Sequence, residues 1–167
     1  MLQAATVASG TLGLLGRLQA EPLLCSTRLV GGTALSLQIG HRVSDDLDLF
    51  SVAPLDGMAV QRMLVDKYGF VPTINSGKRP KDFVDIAFLS MHFSYNDIKR
   101  LLLRRYPAYD PMMADRAVVY FGDIDETLIP EINMIGYEFD FGRIKNRIIK
   151  MTDNPDKVYT MAPFKQR

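Results

Sequence analysis

Between Leu29 and Ser51 the chain reads "LVGGTALSLQIGHRVSDDLDLFS", and this stretch restricts the fold more tightly than any other. "STRLVGG" reads as a short buried strand ending in a glycine turn. "TALSLQIG" reads as a helix of about two turns closed by Gly40. "DLDLFSV" alternates polar and apolar with the period of a half-exposed strand, and Pro54 ends it. A strand, a glycine pair, a helix and a second strand in immediate succession call for an α/β (α+β) arrangement with a small mixed sheet.

The rest of the chain fits around that unit. Leu12, Leu15 and Leu18 recur at helical spacing with Leu14 beside them, which predicts an amphipathic opening helix weakened by its glycines. "DGMAVQRMLVDKYGF" predicts a helix stopped by Gly69. "VPTINSGKRPK", with Pro72, Gly77 and Pro80, predicts a short strand and a turn, the clearest joint in the chain. Beyond it, "KDFVDIAFLSMHFSYNDIKRLLLRRY" predicts two consecutive helices, the second N-capped by Ser94. "PMMADRAVVYF" and "FGRIKNRIIKMT" predict two more. The expected organisation is one domain over 1–167, with an α/β part at 1–77 and a mainly helical part at 78–167. A chain of 167 residues that is 47% apolar can bury one sizeable core.

Charge narrows the function classes. Twenty basic against nineteen acidic residues leave a formal net charge of +1, so no global field marks a nucleic-acid coat or a membrane-surface protein. Any nucleic-acid partner must be gripped locally. Cys25 is the only cysteine, which excludes an internal disulfide and fits a reducing, cytoplasmic setting. The N-terminus lacks the basic region of a signal peptide, and Arg17 and Glu21 interrupt its apolar run. No stretch approaches the roughly 20 apolar residues of a membrane span.

Chemistry concentrates in the opening stretch. Residues two apart on a strand share a face, so Asp46 and Asp48 are expected to project together while Leu47 and Leu49 face the core. A hard cation such as Mg²⁺, or Mn²⁺ in its place, takes one or two protein carboxylates and completes its shell with water and substrate phosphates. Gly31 and Gly32 allow close backbone approach, and the helix starting near Thr33 offers free amides and a positive dipole end to a triphosphate. Arg42 and His41 are placed to meet a triphosphate or a nucleic-acid backbone, and Ser44 to orient either. Asp45 is expected only to support the loop. A metal that neutralises the transferring and leaving oxygens makes nucleotidyl transfer the natural reaction.

Val30-Gly31-Gly32, a helix, then Asp46-Leu47-Asp48-Leu49 resembles the signature of the DNA polymerase β type nucleotidyltransferases. More narrowly, "LVGGTALSLQIGHRVSDDLDLF" resembles the first motif of the AbiEii/AbiGii toxin family, nucleotidyltransferases of abortive-infection and toxin–antitoxin systems. "KRPKDFVDIAFL", Lys78 to Leu89, resembles the family's Lys-Asp motif. "SYNDIKRLLLRRYP" and "AVVYFGDIDETLIPEI" are similar to its C-terminal helical region. The resemblance implies a nucleoside triphosphate donor, an acceptor such as tRNA, another RNA or a protein, and a cognate antitoxin. It brings Lys81, Asp82 and Asp85 toward the site, with Asp82 or Asp85 a general base for the acceptor hydroxyl. The family's third strand carboxylate and its lysine-bearing helix have no counterpart, and the chain is shortened between Gly69 and Arg79.

Other groups read as structural. Asp82 and Asp85 also suit a plain helix start, where acids complement the dipole. "GDIDE", Asp123 to Glu126, reads as a solvated loop. "YEFDF" alternates as an edge strand with Glu138 and Asp140 on one face. The basic clusters Lys99, Arg100, Arg104, Arg105 and Arg143, Lys145, Arg147, Lys150 read as solvated helix faces, with an RNA backbone as the alternative. His92 and Cys25 read as structural.

Overall fold

The computed structural model describes residues 1–70 and 80–167, so the expected strand and turn after Phe70 lie outside the described residues. The chain forms two compact units, Met1–Ser76 and Gly77–Arg167. Both helices and strands are present, so the α/β expectation holds, with helix predominating.

In the first unit, α1 (Ser9–Gln19) precedes β1 (Thr27–Val30), α2 (Gly31–Ile39), β2 (Asp48–Ser51) and α3 (Gly57–Tyr68). The opening helix forms despite Gly10, Gly13 and Gly16, with Leu18 fully buried. Strands β1 and β2 pair antiparallel from Thr27 opposite Ser51 to Val30 opposite Asp48. A mixed sheet was the expectation; among the described residues the sheet is this one antiparallel pair. Helix α2 follows β1 without a linker, and the loop after Gly40 returns the chain alongside it.

The register also corrects the extent of the second strand. A ladder continued past Val30 and Asp48 would need Gly31 opposite Leu47 and Gly32 opposite Asp46. Gly31 instead turns out of the strand at φ +69° and opens α2. Asp46 therefore lies in the loop before β2, and the expectation that it shares a strand face with Asp48 fails. Leu47 and Leu49 do share a side, lining with Leu14, Leu18, Leu24 and Leu64 an open apolar hollow of about 490 Å³.

Two backbone bonds strap the N-terminal segment to this core: the Gln3 amide donates to the Leu37 carbonyl at 2.7 Å, and the Ser44 amide to the Thr6 carbonyl at 2.9 Å. Asp56 caps α3 by accepting from the amides of Met58 and Ala59. At the other end of α3, Lys67 and Tyr68 both donate to Glu21 Oε1 at 2.5 Å. That pairing holds the Glu21 carboxyl below its ordinary range and raises both the Lys67 ammonium and the Tyr68 phenol.

The second unit is helical: α4 (Pro80–Leu89), α5 (Tyr95–Arg105), α6 (Pro111–Val118) and α7 (Phe141–Asp153). "KDFVDIAFL" is helix, as its three-residue carboxylate spacing implied. Ser94 caps α5 in a reciprocal capping box, its hydroxyl accepting from the Asp97 amide while Asp97 accepts from the Ser94 amide. Helix α4 packs on α7 through Phe83, Val84, Ala87 and Phe88 against Ile144, Ile148 and Met151, all buried. The Phe88 ring meets those of Tyr137 and Phe164 at 5.2 and 5.8 Å.

"YEFDF" is not a strand. Only Tyr137 makes a bridge, to Gln166, and Asp140 is the N-cap of α7. A carboxylate accepting from the Arg143 amide at 3.1 Å ends the extended run. The basic clusters are less free than solvated faces would be. Lys99 pairs with Asp115 at 3.0 Å, Arg100 with Asp97 at 3.2 Å and Arg143 with Asp140 at 3.4 Å. Arg147 is half-buried, donating to Ser90 Oγ and the Met161 carbonyl and lying 4.3 Å from the Tyr159 ring centre. "GDIDE" is an exposed turn, as expected. His92 and Cys25 are exposed.

Candidate active site

The glycine pair is built into a close approach. A Cβ placed on Gly31 would overlap the Asp48 carboxylate, with the Asp48 Cγ at 3.0 Å and its Cβ at 3.2 Å. Only glycine leaves that space, and only glycine takes φ +69° without strain. The register that pairs Val30 with Asp48 therefore sets a half-exposed carboxylate against the first residue of α2. Helix starts leave backbone amides without helical partners and carry positive potential, which favours an anion there.

Asp46 is fixed by a different device. The buried hydroxyl of Thr33 donates to the Asp46 carbonyl and lies 2.8 Å from Ser44 Oγ. The Thr33 and Ser44 side chains are both buried and bonded to the protein itself. Arg42 and His41 are buried too, at 3% and 2% exposure, and the Arg42 guanidinium donates to the Val43 carbonyl at 3.0 Å. Arg42 thus lies beneath the surface rather than reaching out from it.

Lys81, Asp82 and Asp85 belong to the second unit, in the first two turns of α4. Asp82 is exposed and Asp85 buried at 8% exposure, so they do not present one common solvent face. The helix start places Asp82 where the dipole favours it.

Sequence reading missed three side-chain constellations: Glu21 with Lys67 and Tyr68, Tyr95 with Asp115 and Lys99, and the Thr33–Ser44–Asp46 clasp. Only the clasp had a local signal, because one hydroxyl residue lies in the first turn of α2 and another in the loop that leads from α2 to the aspartates.

With the loop, helix and carboxylates placed, comparison with known proteins becomes specific. Residues 13–68 match the model of the nucleotidyl transferase AbiEii toxin family of type IV TA systems. The match to AbiEii runs from within α1 to the end of α3 and takes in β1, Gly31, Gly32, α2 and both aspartates. It is the family that the Leu29–Phe50 motif resembles, and the similarity falls within the first unit. The AbiEii match includes no part of α4 to α7. No curated protein and no solved structure matches the chain. Among the described residues, no helix is long and apolar enough to cross a membrane.

Proposed function

We propose that the chain is a Mg²⁺-dependent nucleotidyltransferase of the toxin–antitoxin type, moving a nucleotidyl group from a nucleoside triphosphate to a nucleic-acid hydroxyl, such as that of tRNA, or to a protein hydroxyl. One observation carries this reading: the Asp48 carboxylate rests against Gly31 at the opening of α2, in space that any side chain at Gly31 would fill. The match of residues 13–68 to the AbiEii family supports it. A carboxylate beside a helix start suits a divalent cation shared between protein oxygen and substrate phosphate.

Asp46 and Asp48 would hold Mg²⁺, or Mn²⁺ in its place. The backbone of Gly31, Gly32 and Thr33 would receive the triphosphate, with Arg42 adding positive charge from below. The metal, when bound, supplies charge neutralisation at the transferring phosphorus. A cognate antitoxin is the partner that the similarity to this family suggests, and the setting we propose is the cytoplasm.

A second reading is a binding module that keeps the nucleotide and has lost turnover. It is favoured by the absence, among the described residues, of any cluster of three or more metal-capable side chains. The decisive experiment incubates the protein with Mg²⁺, each labelled nucleoside triphosphate and total RNA, beside an Asp46→Ala, Asp48→Ala double variant. Label transferred by the natural protein alone is the expected result. Nucleotide binding without transfer, lost in the double variant, would establish the binding module instead.

A further inference from the structure

We infer that Thr33 and Ser44 are positioning residues that hold Asp46 at its distance from Asp48, and that neither side chain contacts the substrate. The inference rests on the reading of Asp46 and Asp48 as the metal-holding pair. The two carboxylates are held by different means. Asp48 is placed by the ladder, through its pairing with Val30. The ladder stops there because Gly31 leaves the strand, so Asp46 lies beyond the paired residues.

The hydroxyl bonding has a single direction. Thr33 carries one hydroxyl proton, and the Asp46 carbonyl can only accept, so that proton is committed to Asp46. Ser44 Oγ, 2.8 Å from Thr33 Oγ1, must then be the donor to it. The chain of bonds runs from Ser44 to Thr33 to the Asp46 carbonyl. Its far end is anchored where the Ser44 amide donates to Thr6 at 2.9 Å. Thr33 is 0% exposed and Ser44 3%.

Gly31 therefore meets Asp48 while Thr33 holds Asp46, and both belong to the first turn of α2. One rigid turn sets the spacing of the two carboxylates and carries the amides proposed to receive phosphate. Groups that orient metal ligands through hydrogen bonds typically cost 10–100-fold in metal affinity when removed.

The test is Mn²⁺ affinity, read from the spectroscopic signal of free Mn²⁺ in a titration of the full chain, beside a thermal melt. Thr33→Val keeps the shape and removes the hydroxyl, and it is expected to weaken Mn²⁺ at least roughly tenfold. Thr33→Ser should restore affinity. Ser44→Ala, which leaves the Thr33 to Asp46 bond in place, should fall between them. A purely structural role would lower the melting temperature and leave Mn²⁺ affinity unchanged in the folded variant, which would overturn the inference. Asp48→Asn separates this from the underlying reading: if it still binds Mn²⁺ as the natural protein does, the metal site itself is wrong. Should Thr33→Val not fold, equal Mn²⁺ affinity in Thr33→Ser and Ser44→Ala would overturn the clasp.

Discussion

Replacing Gly31 by alanine perturbs the backbone and the site through separate routes whose sizes follow from the geometry. A non-glycine residue at φ +69° pays about 1–2 kcal/mol for the left-handed conformation. The new Cβ also overlaps the Asp48 carboxylate, whose Cγ stands only 3.0 Å away. The nearest atom is the end of a rotatable side chain, so relief comes from swinging Asp48 off its rotamer, at roughly 0.5–1.5 kcal/mol. Alanine returns roughly 0.4–1 kcal/mol by restricting the unfolded chain. The net expectation is a loss of roughly 0.5–3 kcal/mol, together with a displaced Asp48.

Urea denaturation followed by circular dichroism measures the first effect, and Mn²⁺ titration the second. A cycle with Asp48→Ala separates them, because removing the carboxylate abolishes the overlap and leaves the backbone cost. The coupling should be roughly 0.5–1.5 kcal/mol, the size of the rotamer strain. Unchanged stability in Gly31→Ala would refute the left-handed entry into α2. Zero coupling would refute the contact with Asp48, and with it the observation on which the proposed function stands.

Gly13 and Gly16 behave oppositely. A Cβ on Gly13 or Gly16 would meet nothing within 4 Å, and both lie inside α1, so alanine at each should stabilise by roughly 0.5–1 kcal/mol in the same denaturation assay. Ser94→Ala removes one half of the α5 capping box and should cost about 1 kcal/mol, read from urea midpoints at constant slope. Burial and the bond to Asp115 raise the Tyr95 phenol far above its ordinary value of 10.0. A raised folded value means the stabilisation is complete below pH 10.0 and is lost as pH climbs toward the folded value. Stability should therefore decline above about pH 10 in the natural protein and less steeply in Tyr95→Phe, with phenolate absorbance tracking the same transition. Lowering pH below the ordinary Glu21 value of 4.5 should weaken the tie from Glu21 to Lys67 and Tyr68, because the folded carboxyl titrates lower than the unfolded one. Glu21→Gln should flatten that acid limb.

Much of this architecture was legible locally. Gly40 and Gly69 end α2 and α3, Ser94 opens α5, and the carboxylate spacing in "KDFVDIAFL" identifies α4 as helix. Each is a short-range signal, in which one residue type satisfies or breaks a neighbouring turn. The strand in "DLDLFSV" was legible too, but its start was not, because alternation continues through Asp46 while the partner strand ends at Val30. In "YEFDF" the alternation meets the C-terminal segment only in a short bridge at Tyr137, and Asp140 was taken by the start of α7.

The site divides in the same way. The sequence by itself determined that two glycines, a short helix and two aspartates follow one another, because turn, helix and strand propensities act over a few residues. Tertiary structure alone decided which atoms meet. The end of the β1–β2 ladder placed Asp48 on Gly31, excluded Asp46 from the sheet, and left that loop to a buried threonine hydroxyl. It also turned Arg42 and Ser44 inward. Register and burial depend on partners distant in the chain, and no local pattern of residue types encodes which partner will be there.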